Sequence, residues 1–157
     1  MDKLLKLLDG NARLIDAQLA VMANCTEEEV RAQIAAWEAS GVIRGYKALI
    51  DWERTDREYV TALIVLRVAP ERDFGFEGIA EKVMQFDEVE SVYLMSGGYD
   101  LSVTVSGRTF QEVAMFVARR LSTLDAVIST ATHFVLRRYK DKGVLFAGEE
   151  KDGRGDL

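Results

Sequence analysis

Hydrophobic positions in the first fifty residues recur at helical spacing, while those beyond residue 59 alternate between strand and helix periods. Lys3 to Leu8 and Asp16 to Met22 each read as a short amphipathic helix. Thr26 followed by Glu29 makes a capping box, so a third helix should start there. Val30, Ile34 and Trp37 recur at i, i+4 and i+7 and predict a narrow buried stripe on it. Gly41 ends that helix, and Val42 to Lys47 reads as a short extended segment. Three short helices followed by a β-wing are the outline of a winged helix-turn-helix, here over residues 1–50.

The pattern changes near Asp51. Residues 51–58 (DWERTDRE) are charged and read as a linker. Tyr59 to Val68 (YVTALIVLRV) is rich in β-branched residues and predicts a strand. Phe76, Ile79, Ala80, Val83 and Met84 give helical spacing, and Val89 to Ser96 predicts a second strand. Gly97-Gly98 marks a turn, and Leu101 to Val105 a third strand. Phe110, Val113, Ala114, Val117, Leu121 and Leu124 predict one more helix, and Val127 to Arg138 a fourth strand. The order is β-α-β-β-α-β, a ferredoxin-like domain over residues 59–142, which makes the chain α+β. Beyond an apolar patch from Val144 to Ala147, residues 143–157 read as a polar tail.

The first of these strands is apolar on both faces. Val60, Ala62, Ile64, Leu66 and Val68 point one way, Leu63 and Val65 the other. Two helices cover only one face of a four-stranded sheet, so the second face is expected to meet another copy, giving a homodimer.

With 48% apolar residues the chain has enough to build a core. No run approaches the eighteen or more apolar residues of a membrane span, and the start has no signal-peptide pattern. Cys25 stands alone, which fits a reducing cytoplasm. The net charge is −6, and residues 1–50 carry six basic and seven acidic side chains. DNA-binding modules usually present a basic face that displaces counterions from phosphate. DNA affinity per copy should therefore be modest, and an oligomer would multiply it.

The third helix presents Glu28, Ala32, Ala35 and Ala39 outward, flanked by Arg31 and Ala36. Base readout in the major groove needs Arg, Lys, Asn or Gln, so Arg31 and Gln33 are the candidates on this helix. Arg13, Thr26 at the cap, and Arg44 and Lys47 in the expected wing complete the DNA-facing set. Glu27, Glu28 and Glu29 favour the helix dipole, by roughly 0.3–1 kcal/mol each. The same carboxylates would repel a phosphate approaching that end, and both readings stand.

In the second domain, Ser96-Gly97-Gly98-Tyr99-Asp100 suits a tight hairpin, which by itself accounts for the two glycines. The same stretch can also hold a zwitterionic amino acid. Its exposed N–H groups would take the carboxylate, and Asp100 would pair with the ammonium. Thr130 and Thr132 share one face of the last strand with Ile128 and Phe134, and His133 lies on the other. A single histidine and a single cysteine build neither a metal cluster nor a catalytic set, and no phosphate-binding glycine loop occurs. Neither a metal, a cofactor nor an enzymatic activity is expected.

Over roughly residues 2–142 the chain resembles the Lrp/AsnC family of feast/famine transcriptional regulators. The resemblance rests on Leu4 to Leu8, Asn11-Ala12-Arg13, Leu19-Ala20 and Glu38 to Tyr46 in the first half. In the second half it rests on Val89 to Val92, Gly97 to Leu101 and Thr130-Ala131-Thr132. It implies dimers paired through their sheets that assemble into octamers. It also implies an amino acid or related small molecule bound between dimers, near Gly97–Asp100 and the Thr130–Thr132 region. The family often has Arg or Lys where this chain has Ala32, Gln33, Ala35 and Ala36. Two alternatives follow: a ligand-binding oligomeric sensor with little DNA binding, and a tetrapyrrole decarboxylase-like enzyme of the same fold. The single histidine counts against the second.

Overall fold

In the computed structural model, which describes residues 2–147, the chain forms two compact units that divide between Leu49 and Ile50. The first unit has three helices, α1 (Asp2–Gly10), α2 (Asp16–Ala23) and α3 (Glu27–Ser40). Leu4, Leu8, Leu19, Ala20, Val30 and Trp37 form its core, and Ile34 and Ile43 pack against them half-buried. Asn24 adopts the left-handed conformation (φ 58°) that stops α2, and a three-residue turn leads into α3. Thr26 caps α3 as the capping box requires: its Oγ1 accepts from Glu29 N at 3.1 Å, and Glu29 Oε2 accepts from Thr26 N at 2.8 Å. Gly41, at φ 75°, closes the helix.

The expected β-wing is not formed. Residues 42–51 make no strand ladder. Ile43 is drawn into the helical core, its N–H donating to Trp37 O at 3.1 Å, and the Tyr46 hydroxyl donates to Glu38 at 2.8 Å. An extended segment anchored to the preceding helix has no second strand beside it, so β-propensity alone cannot produce a wing.

The second unit opens with a 3-10 turn (Trp52–Arg54) inside the expected linker. It continues as β1 (Val60–Val68), α4 (Glu77–Val83), β2 (Val89–Leu94), β3 (Leu101–Gly107), α5 (Phe110–Phe116) and β4 (Val127–Phe134). The four strands form an antiparallel sheet in the order β2-β3-β1-β4. Alternation on β1 turns Ala62, Ile64, Leu66 and Val68 toward the helices, where all four are buried with Ile79, Val83, Val113 and Leu121. At roughly 1.5–3 kcal/mol for each fully buried large side chain, this row is the main apolar contribution of the central strand.

The opposite face is less apolar than β1 alone implied. Leu63 is 36% exposed and Val65 half-buried, but their cross-strand neighbours are Thr104 and Ser102 on one side and His133 and Ala131 on the other. Three further expectations need correction. The last helix is not continuous: after Phe116 it passes into a π-helical turn, Val117–Leu121. Strand β4 stops at Phe134 rather than Arg138, and a register shift between Arg67 and Val68 leaves Ile128 70% exposed. Finally, part of the expected tail is ordered as a hairpin, β5 (Lys140–Asp141) with β6 (Val144–Leu145), turned by Lys142 at φ 49° and Gly143 at φ 82°. Residues 148–157 of that tail lie outside the described residues.

Candidate functional site

The hairpin between β2 and β3 is built from the end of β1. The Met95 N–H donates to Asp100 O at 2.8 Å, which closes a loop over Ser96, Gly97, Gly98 and Tyr99. Asp100 N donates to Leu66 O at 2.9 Å, and Asp100 Oδ2 accepts from Val68 N at 2.9 Å. That second bond satisfies a backbone donor left at the end of the β1–β3 ladder, whose last pair is Leu66 and Leu101. Arg67 Nε donates to Gly98 O at 3.0 Å. Two side-chain bonds therefore tie the loop to β1. Gly97 adopts φ 151°, a conformation that L side chains rarely adopt.

The chemistry left open by this arrangement is specific. Among the described residues, the N–H groups of Gly97, Gly98 and Tyr99 make no backbone or side-chain hydrogen bond. Ser96, Gly97 and Gly98 are exposed, and Tyr99 and Asp100 are half-buried. One Asp100 oxygen is engaged by Val68, which leaves Oδ1 for a cation. Thr130 lies beside Leu66, whose other neighbour is Leu101, so it stands at the same end of the sheet as the hairpin. Two strand spacings, about 10 Å, separate their backbones. Thr132 is one step further along, beside Ile64. The Thr130 hydroxyl is 3.4 Å from that of Ser122, just past the π-helical turn. The fold thus brings the hairpin and Thr130 to one rim and leaves Thr132 deeper along the strand.

Sequence reasoning missed Arg67 and Ser122. Arg67 left a signal, since it is the single charge in the apolar run from Tyr59 to Val68. Ser122 left none, because its relation to Thr130 depends on how α5 ends.

In the first unit, Glu28, Ala32, Ala35, Ala36 and Ala39 form the exposed side of α3 as expected. Arg31 is not a free cation. Its guanidinium is 3.5 Å from Asp16 and 3.6 Å from Glu27. Gln33 is half-buried beside the Val30–Trp37 stripe. Thr26 spends its hydroxyl on the cap, and that backbone and side-chain bonding holds the Glu29 carboxyl below the usual range. Arg13, Arg44 and Lys47 are exposed, and Arg44 packs its guanidinium close to Gly41.

Residues 61–145 match the Lrp/AsnC ligand binding domain. The chain belongs to the Lrp/AsnC family. It is 46% identical to the HTH-type transcriptional regulator YugG of Bacillus subtilis over 97% of this chain and 92% of that protein. The fold is similar to that of NMB0573 from Neisseria meningitidis, solved in complex with L-Met (TM-score 0.73, 24% identity, 88% of this chain and 89% of that one). It is also similar to E. coli AsnC (TM-score 0.67, 23% identity, 87% and 89%). In this Lrp/AsnC protein the hairpin, Thr130 and Thr132 all fall inside the matched ligand-binding segment. Among the described residues no helix is long and apolar enough to cross a membrane.

Proposed function

We propose that the chain is a cytoplasmic, amino-acid-responsive regulator of transcription that binds double-stranded DNA through its first unit. The observation that carries the reading is the Gly97–Asp100 hairpin, with three unused N–H donors beside a carboxylate that has one oxygen free. Those donors suit a carboxylate and that oxygen suits an ammonium, the two ends of an amino acid. Ser96, Tyr99, Thr130 and Thr132 are the further effector contacts. The L-Met complex of the similarly folded NMB0573 supports an amino acid as the ligand class. Because the hairpin is an exposed rim, a second copy is needed to close the site. Sheet-to-sheet dimers that assemble into an octamer supply one. Ligand binding would then shift the balance between assemblies that space the DNA units differently.

For DNA, α2, its tight turn and α3 have helix-turn-helix proportions, and the name of YugG agrees. Arg13, Arg31, Gln33, Arg44 and Lys47 are the contacts, with Thr26 fixing the start of α3. A second reading, a sensor with little DNA binding, is favoured by Arg31, which two carboxylates hold beside a helix start carrying three glutamates.

The test is a titration of the purified protein on its own upstream DNA at low and moderate salt, with and without a pooled amino-acid mixture. A salt-sensitive complex altered by the pool is expected. No complex at low salt, from folded oligomeric protein, would overturn DNA regulation and leave the sensor.

A further inference from the structure

Helix α2 is short of polar residues. Its sequence, DAQLAVMA, holds one charge, Asp16, and one amide, Gln18. Leu19 and Ala20 enter the core of the first unit and Ala23 packs against it, which accounts for one side of the helix. At about 100° per residue, Ala17, Gln18, Val21 and Met22 share the opposite side. Val21 is 83% exposed and Met22 44%, and Ile15, just before the helix, is 62% exposed. Gln18 adds little polarity there, because its side-chain oxygen turns back to accept the Ile15 N–H at 3.1 Å. A helix that is apolar on both sides is normally covered on both.

Charge and size identify the cover. The face itself carries no cation, so a nucleic-acid backbone gains nothing from it. Its two ends carry opposite charges. Arg13, in the turn before α2, is exposed and has no carboxylate within 4 Å among the described residues. Glu28, in the first turn of α3 just past the end of α2, is exposed and has no cation within 4 Å among them. Two α2 helices packed antiparallel about a two-fold axis set the entry of each beside the exit of the other. Arg13 of each copy then approaches Glu28 of the other, so the face complements itself in charge as well as in polarity. The five donors of a guanidinium leave Arg13 able to meet a phosphate as well. Four side chains fall well short of the roughly 1,200 Å² that a stable interface buries. Such a contact forms between copies that a larger interface already holds at high effective concentration.

We propose that the outer side of α2 is an interface with the same side of α2 in a second copy, joining the first units of the assembly in pairs. Val21 and Met22 of the two copies form its apolar centre, Ile15 and Ala17 its border, and the Arg13–Glu28 pairs fix the antiparallel direction. The inference goes beyond the regulator reading and uses neither the effector hairpin nor a DNA contact.

The test is disulfide trapping in the full-length assembled protein. Val21→Cys in a Cys25→Ser background places a thiol near the two-fold axis, and copper phenanthroline is the oxidant. A covalent pair of chains, read on a non-reducing gel, should form at least about tenfold faster than with Ala35→Cys, an exposed position on α3, in the same background. Arg13→Glu should slow the trapping about threefold or more, and adding Glu28→Arg should restore most of the rate, because the swap rebuilds both pairs. Circular dichroism establishes that each variant is folded. Should Cys25→Ser unfold the first unit, Val21→Cys in the parent chain, with the parent as reference, gives the same comparison. Trapping no faster than the control would overturn the pairing. So would an Arg13→Glu rate that is unchanged or that Glu28→Arg fails to restore. A thiol at position 21 that is shielded from maleimide yet forms no covalent pair would assign the face to a different cover and equally overturn it.

Discussion

Asp100 is asked to do two things, and substitution can separate them. Its Oδ2 is the acceptor for the Val68 N–H at 2.9 Å, and Val68 is 3% exposed, so Asp100→Ala strands a buried donor. Hydrogen bonds to charged groups contribute about 1.5–3 kcal/mol. The bond is only part-buried, which puts the expected loss near the lower end of that range. With a urea dependence of roughly 1–3 kcal/mol per molar, the unfolding midpoint of the second unit should fall by about 1 M. Asp100→Asn keeps an oxygen for Val68 and should recover more than half of that loss. It removes the negative charge, however, and with it the partner proposed for an effector's ammonium. Urea titration by circular dichroism and calorimetric titration with the amino acid that alters the DNA complex measure the two roles. The expected result is a nearly parental midpoint with at least about tenfold weaker binding for Asp100→Asn, and losses in both for Asp100→Ala. An unchanged midpoint in Asp100→Ala would refute the structural role. Parental affinity in Asp100→Asn would remove the carboxylate from the effector site.

Four further expectations follow from the same geometry. Thr26→Ala should destabilise the first unit by about 1 kcal/mol, the usual loss of an N-cap, read as a lower midpoint in chemical denaturation. Releasing Arg31 with Asp16→Asn and Glu27→Gln should strengthen DNA binding and steepen its salt dependence; an unchanged slope would place Arg31 off the phosphates. Burial, and then the bond to Glu90, raise the Tyr59 pKa, so the folded state keeps its phenolic proton to higher pH than the unfolded chain does. That contribution is complete below about pH 10, the unfolded value, and is lost as pH rises through the folded one, so Tyr59→Phe should flatten stability over that alkaline window. Gly107→Ala would bring a Cβ to 2.9 Å from a Val113 methyl in the core, and should cost about 1–3 kcal/mol in unfolding free energy.

Much of the fold was readable because burial imposes its own period. The alternation on β1 and the i, i+4, i+7 stripe on α3 each had one solution, and the capping box fixed where α3 begins. What could not be read depended on partners distant in the chain. Val42-Ile43 has strand propensity, but Ile43 finds its place in a helical core and no second strand answers it. The β5–β6 turn escaped because its first central residue is Lys142, held at positive φ without the usual Asn or Asp signal. At the candidate site, an acid next to two glycines was legible. Its bond to Val68 was not, because that donor is left over only where the β1–β3 ladder ends at Leu66 and Leu101. Arg31 could be seen as a cation on α3, but Asp16, fifteen residues earlier, becomes its partner only once α2 and α3 pack.

The π-helical turn at Val117–Leu121 amounts to one residue more than a regular α-helix would hold there. A regular helix advances about 100° per residue, so winding the same residues as regular α-helix would rotate everything after them by about that amount. Leu121, now fully buried, would leave the core, and Ser122 would swing away from the Thr130 hydroxyl. Loss of the π-turn with its residues retained would therefore disturb the core and the Thr130 rim together. The spacing between Val117 and Ser122 is, in effect, a ruler that sets the Thr130 rim from the helical side of the sheet.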